Sequence, residues 1–486
     1  MRTAPAFELL LPPPGRGVFC NRTLNLRAIR AVGYDMDYTL IHYEVEAWER
    51  RAYAYLQQKL VDLGWPAADL EMPADFAMRG LVVDTELGNL VKADRFGYVK
   101  RACHGLRRLD FDEQRQAYAR TLVDLSEPRW VFLNTFFSLS EAGMYAQLVE
   151  RLDAGGFGKR VLGYADLWQG VRDALDSAHA EGRLKHEIIE HPDRYVVPDR
   201  DLPRALLDQR ESGKRLLLIT NSEWPFTRAM MTCAFDPFLP AGMSWRDLFE
   251  LTIVSARKPE FFSGLGPIYD VVDDAGLLRP CIGAPGRPGV YAGGNASLVE
   301  AYLGLSGSEI LFIGDHLYTD VRVSKDMRRW RTGLIVRELE EELSAIAAMR
   351  DRQAKLDQLM SDKSRLEFEQ AQLRLRLQRL AHDAGPAPGG RAEPIEAQLG
   401  RLRARIDRLD TVIGPLALAV GSIFNPTWGP LMSAGADRSH LARQLEESAD
   451  VYMSRVSNLL YQTPFAYLRA PRGRMPHDLA IDRPED

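Results

Sequence analysis

Short apolar runs along this chain repeatedly break into acids, hydroxyls or lysine on their carboxyl side. The first, IRAVGY at residues 29–34, runs into DMDYTL; three others lie in KRLLLITNSE (residues 214–223), LFELTIVSARKPEFF (residues 248–262) and SEILFIGDHLYTD (residues 308–320). Apolar runs this short, bounded by polar residues, read as buried strands. Most are separated by helix-like stretches, which predicts a parallel sheet with helices on both faces and a site at the carboxyl ends of its strands. RTGLIVREL (residues 331–339) reads as the last core strand.

The interval between the first and second of these strands far exceeds an ordinary crossover, so it must hold a domain of its own. That cap is expected to contain an extended or hairpin stretch at residues 79–105 and two helical stretches, one running on from LSEAGMYAQLVERL and one around DLWQGVRDALDSAHAEG. After residue 339 the period changes. Leu359, Leu366, Leu373 and Leu380 fall seven apart, the seam of a coiled-coil arm, with Lys363 and Gln370 interrupting the companion positions. A helical hairpin follows, with a Pro/Gly-rich turn at residues 383–393 and a return helix over residues 395–414. Such an arm makes a homo-oligomer plausible, although its seam could equally fold back on itself.

The expected fold class is α/β: a Rossmann-like parallel sheet core with an inserted cap domain and a C-terminal helical hairpin arm. The expected division is an N-terminal arm with the first core strand (1–45), a region that is mainly cap (46–205), the core (206–340), the arm (341–415) and a C-terminal segment packing on the core (416–486).

At 486 residues, 46% hydrophobic and 27% charged, the chain is long enough for two or three cores and has a globular composition. A net charge of -5 gives no general attraction for nucleic acid polymers or anionic membranes, so any phosphate affinity must be local. Cys20, Cys103, Cys233 and Cys281 are scattered without metal-ligand spacing, which argues against zinc and disulfides and fits a reducing cytoplasm. Pro12, Pro13 and Pro14 interrupt the apolar N-terminus before signal-peptide length, so the start reads as an irregular surface arm. No stretch approaches a membrane span.

Asp35 and Asp37 flank Met36 at the end of a strand, where an extended backbone points both side chains the same way. One carboxylate can then attack phosphorus and hold a cation while the other protonates the leaving oxygen and later activates water. Taken alone, the pair fits a metal-binding turn or two solvated acids equally well. Thr220 and Asn221 end another strand and could offer a hydroxyl and nearby backbone donors to phosphate oxygens. Lys258 supplies a cation, on a loop that Pro259 stiffens. Asp315 and Asp320 add the hard oxygen ligands that magnesium prefers.

In this order, the four segments resemble the motifs of the haloacid dehalogenase-like phosphatases. The resemblance implies Asp35 as the nucleophile that forms an aspartyl-phosphate and Asp37 as general acid/base. It places Mg2+ on Asp35, the backbone carbonyl of Asp37, and Asp315, with Asp320 steadying Lys258. RGLVVDTELGNLVKAD, FLNTFF, VRDALDSAH, VYAGGN, WRTGLIV and SNLLYQTPFAYLRAPRGRMPH extend the likeness over nearly the whole chain, to the cytosolic purine 5′-nucleotidase family. That resemblance implies hydrolysis of nucleoside 5′-monophosphates, chiefly IMP and GMP, and phosphate transfer to a nucleoside. It places base recognition on Phe137, Arg172, Asp176 and His179, with Lys185 near the phosphate. Arg172, Asp176 and His179 are spaced four and three apart and so share a helical face, although an Arg/Asp pair at this spacing is also an ordinary surface salt bridge.

Ser138 and Ala180 depart from the family at the base pocket. Asp326, Glu446 and Glu447 stand where basic residues would help hold regulatory nucleotides. The rival readings are a phosphatase of the same machinery acting on another phosphomonoester, and a scaffold with a vestigial site. Residues 283–295 read as a flexible Gly-rich connection, residues 338–343 as a solvated acidic face, and His42 and His104 as non-ligands.

Overall fold

The computed structural model describes residues 10–159, 162–382, 392–471 and 473. These fall into two compact units, one comprising the residues up to Glu340 together with those from Leu431 onward, the other Glu341–Pro430.

A ten-stranded sheet organises the first unit. Its central strand, Ala31–Tyr34, runs parallel to Ile310–Gly314 on one side and Arg215–Ile219 on the other. Arg331–Ile335 and Val451–Met453 continue the parallel run outward on the first side, as do Leu251–Val254 and Gly289–Gly293 on the second. The two faces are built by simple alternation along the strands. Val32, Tyr34, Leu216, Leu218, Leu311 and Ile313 enter one core with Leu206, Met230 and Phe235. Ala31, Leu217, Ile219, Ile310 and Phe312 enter the other with Phe262, Val299 and Leu303. Both faces are covered, which is why these strands read as unbroken apolar runs. Gly33 is required here, because a Cβ at that position would lie 2.8 Å from the Phe312 ring.

The cap is a five-stranded antiparallel sheet in the order Arg107–Arg108, Val99–His104, Asn89–Ala93, Val82–Asp84, Trp130–Phe132. Helices Val45–Asp62, Leu139–Asp153 and Tyr164–Ala180 pack with one another beside it. The hairpin pattern at 79–105 and both helical stretches therefore appear where the sequence placed them.

Two expectations fail, and one strand was missed. The Gly-rich segment is not merely a connection, since Gly289–Gly293 pairs with Leu251–Val254 inside the sheet; the glycines around Val290, Tyr291 and Ala292 hid a strand. The strand Val18–Cys20, which follows the N-terminal arm, was not foreseen; it forms the sheet edge against Val451–Met453. Residues 338–343 are not simply a solvated face: Glu338 pairs with Arg79, and Glu340 with Arg455 and Arg337.

The second unit holds helices Arg350–Ala381 and Ala392–Gly421. Leu366 packs with Leu402 and Ile406, joined by Leu373 and Leu409, so Leu366 and Leu373 of the seam are covered within the hairpin. Lys363, one of the interrupting positions, pairs with Asp410 of the return helix at 2.6 Å. The return helix runs past Gly414 with Pro415 inside it, carried by the helix-forming LALAV that follows. Most of the expected turn, residues 383–391, lies outside the described residues. No helix among the described residues is long and apolar enough to cross a membrane.

Candidate active site

The carboxyl ends of the central strands bring the four sequence motifs together. Asp35 follows Ala31–Tyr34, Thr220 follows Arg215–Ile219, Asp315 follows Ile310–Gly314, and Lys258 lies on the loop after Leu251–Val254. The Lys258 ammonium sits 2.6 Å from Asp35 Oδ1 and 2.7 Å from Asp320 Oδ1, with all three residues buried. Asp320 reaches this position from a π-helical turn, Leu317–Arg322, a local geometry often found at functional sites. Gly314 leaves it room, since a Cβ there would come within 2.5 Å of the Asp320 Cγ.

Three buried acids face one buried lysine, and the electrostatics follow from that imbalance. Burial pushes Asp35 up to about 7 against the pull of Lys258, with Asp320 and Asp37 adding to the rise. Asp315 is held well above the carboxylate range, first by burial and then by Asp320 and Asp35. Burial opposes the charge on Lys258, but Asp320 and Asp35 outweigh it and raise its pKa.

Carboxylate oxygens of Asp35, Asp315 and Asp320 all lie within 4.8 Å of one another. No donor among the described residues satisfies the buried Asp315 Oδ2. An orphaned oxygen within a cluster of excess negative charge fits a hard divalent cation. Asp320 joins this cluster, whereas the Asp37 side chain is engaged elsewhere.

Asp37 accepts a hydrogen bond from the Tyr43 hydroxyl at Oδ1 (2.5 Å) and from Ser222 Oγ at Oδ2 (2.7 Å). These two neutral donors fix its carboxylate without a counter-charge. Tyr38 next to it takes φ 53°, and Ser255 and Arg257 on the lysine loop take 47° and 58°. Left-handed conformations at non-glycine residues are strained, and these three lie on the two loops that carry Asp35, Asp37 and Lys258.

Thr220 is fully buried, and its hydroxyl accepts from the Ser222 amide at 3.1 Å. Asn221 clamps the lysine loop: its Oδ1 accepts from Lys258 N at 2.6 Å and its Nδ2 donates to Lys258 O at 3.1 Å.

The cap residues form a looser group. The Phe137 ring lies 4.9 Å from that of Tyr38 and 5.4 Å from that of Trp48, part of an aromatic wall beginning one residue after Asp37. Arg172, Asp176 and His179 share an exposed face of Tyr164–Ala180, and Arg172 lies 4.0 Å from the buried Glu141. Lys185 pairs with Glu223 at 3.0 Å and donates to Ser222 Oγ at 3.5 Å, which links the cap back to Asp37. His42 is buried among arginines and driven down to about 3, chiefly by burial, while His104 contacts Asn89 and Asp153; neither belongs to the acid cluster.

Sequence reasoning missed Tyr43, Ser222, Glu49 and Glu141. Ser222 was within reach, two residues after Thr220 on the same turn; Tyr43 sits on a two-residue strand with no periodic signal. Replacing Tyr43 with Phe or Ser222 with Ala is expected to lower kcat by roughly tenfold each, the loss of about one hydrogen bond to a charged group, with little change in KM. Steady-state kinetics on the two variants checks this.

Glu49 is fully buried, receives the Ser140 amide at 2.8 Å, and is pushed up to about 8, mainly by burial. In this window the folded chain holds a proton that the unfolded chain has released. Its contribution to stability is therefore full below about 4.5 and is lost as pH rises toward about 8. Denaturant midpoints for Glu49→Gln should fall less than those of the parent across that range.

The family model described as the 5′ nucleotidase family matches residues 18–480. A 5′-nucleotidase domain-containing protein of Dictyostelium discoideum is 26% identical over 489 residues, covering 96% of this chain and 75% of the relative. The human 5′-nucleotidase domain-containing protein 2 is 26% identical over 480 residues, covering 94% of this chain and 85% of its own. An archaeal beta-phosphoglucomutase structure from Pyrococcus aligns at 12% identity and a TM-score of 0.30, over 63% of this chain and 87% of that one, too loosely to add to the sheet topology. With the family match spanning nearly its whole length, this chain belongs to the 5′ nucleotidase family and is a phosphomonoester hydrolase.

Proposed function

We propose that the chain is a magnesium-dependent 5′-nucleotidase that hydrolyses purine nucleoside 5′-monophosphates such as IMP and GMP through an aspartyl-phosphate. The observation that carries this reading is the Lys258 ammonium held between Asp35 and Asp320, beside an Asp37 oriented by two hydroxyls. In the first step an Asp35 carboxylate oxygen attacks phosphorus, the bond to O5′ breaks, and Asp37 gives its proton to the departing nucleoside. In the second, Asp37 takes a proton from water as that water's oxygen attacks phosphorus, freeing phosphate and restoring Asp35. A nucleoside hydroxyl in place of water gives phosphotransfer by the same route.

Asp35, Asp315 and the Asp37 carbonyl would hold Mg2+, with Asp320 close by; when bound, the ion supplies positive charge that offsets the transferring phosphoryl. Lys258 lends a fixed cation to the same charge, and Asn221 keeps its loop in place. Phe137 would stack on the base, Arg172, Asp176 and His179 would read its edge, and Lys185 would meet the phosphate. One observation favours another phosphomonoester: Arg172 already faces Glu141, which limits its freedom to read a purine.

The test is phosphate release from purine and pyrimidine 5′-monophosphates and several sugar phosphates, with magnesium and with EDTA. Magnesium-dependent preference for IMP or GMP supports the reading. Activity confined to sugar phosphates keeps the mechanism and removes the nucleotide.

A further inference from the structure

Arg79 belongs to none of the four motifs, yet it is buried at 3% exposure against the site. It immediately precedes Gly80 and the cap strand Val82–Asp84, so its backbone belongs to the cap. Its side chain belongs to the core. Nη1 donates to the carbonyls of Asp315 at 3.3 Å and Ile335 at 3.5 Å, at the carboxyl ends of two adjacent parallel strands. Nε and Nη2 grip Glu338 at 2.9 and 2.6 Å, which neutralises the guanidinium. Its flat face stands 5.0 Å from the centroid of Phe136, whose ring is 5.0 Å from that of Tyr38, the neighbour of Asp37.

We infer that Arg79 is a positioning residue that ties the cap to Asp315 and thereby sets how tightly the acid cluster holds its divalent cation. This rests on the phosphatase reading above. The geometry explains the choice of residue. One planar group must reach two carbonyls, a carboxylate and a ring face at once, which an arginine fork can do and a lysine point charge cannot. The Glu338 counter-charge matters equally, because an uncompensated guanidinium beside the acids would repel the ion they are arranged to hold. Among the described residues Asp315 Oδ2 has no hydrogen-bond partner, and the contact from Arg79 to the Asp315 carbonyl restrains the residue bearing it. Groups that orient a metal ligand without touching the metal commonly govern affinity by roughly 10- to 100-fold.

The experiment measures Mn2+ and Mg2+ binding to the full chain by titration calorimetry for the parent, Arg79→Lys and Arg79→Met, with Asp315→Asn as the metal-site control and melting temperature recorded alongside. Both Arg79 variants should bind the cation at least about tenfold more weakly, with a raised metal requirement for turnover and a nearly unchanged KM for nucleotide at saturating metal. Arg79→Lys retains the buried charge, so it provides the measurement if Arg79→Met does not fold. An unchanged metal Kd in a folded Arg79→Lys, even with a lower melting temperature, would overturn the inference and leave Arg79 a structural clamp. A parent chain that binds neither ion while Asp315→Asn behaves identically would instead overturn the phosphatase reading on which it stands.

Discussion

Asp35→Asn should abolish turnover, with kcat falling on the order of 10^4-fold or more, because the amide oxygen is too weak a nucleophile to form the acyl phosphate. The protein itself should remain folded. Asp35 is a desolvated carboxyl pushed up to about 7, and replacing it with a neutral isostere removes a charge that burial penalises while Lys258 keeps its contact with Asp320. The measurement is single-turnover phosphate release with circular dichroism on the same preparation. A folded variant within tenfold of the parent would remove Asp35 from the nucleophile role. Acid-stable trapping of labelled phosphate on the parent, absent from the variant, would place the label on that carboxylate.

Lys258→Met should cost both activity and stability. The ammonium is the partner of two buried acids, and removing one member of a buried ion pair typically costs about 3–5 kcal/mol because the charge left behind stays desolvated. Its pH dependence has a definite sign. Asp35 is already raised in the folded chain, so its contribution to stability is lost as pH climbs from about 4 toward about 7. Without the lysine that pKa moves higher and the window extends upward. In EDTA, the deficit of Lys258→Met should therefore be largest above neutral pH and shrink as the solution is acidified and the acids take up protons. Denaturant melts between pH 5 and 9 would check this. A deficit that grows on acidification would mean that Lys258 is not the counter-charge of these acids.

The residues most legible in the sequence were those whose chemistry is bound to local structure. Asp35, Thr220, Lys258 and Asp315 each sit just past a buried strand, and a strand with both faces covered must be continuously apolar. The break from apolar to polar therefore marks the carboxyl end of the sheet, and parallel topology brings four such breaks to one place. The leucine spacing of the arm was legible for a similar reason, since a seven-residue period can be satisfied only along a helix, although the period leaves open whether the partner is the same chain. In the structure Leu366 and Leu373 pack with Leu402 and Ile406, and Lys363 meets Asp410, the three partners lying beyond the turn.

What failed lacked a local signature. Val18–Cys20 and Gly289–Gly293 are strands because a partner strand waits beside them, and no period can be read from three residues or through glycine. The sequence by itself marked Asp35, Lys258 and Asp315 as neighbours, because each lies past the end of its own buried strand, whereas Asp320 comes in on the turn Leu317–Arg322. Only the tertiary structure decided how they are held. Tyr43 and Ser222 reach Asp37 from different segments, and Arg79 reaches Asp315 and Glu338 across the junction of cap and core. Such contacts become favourable only when folding has buried both partners, so no pattern along the chain encodes them.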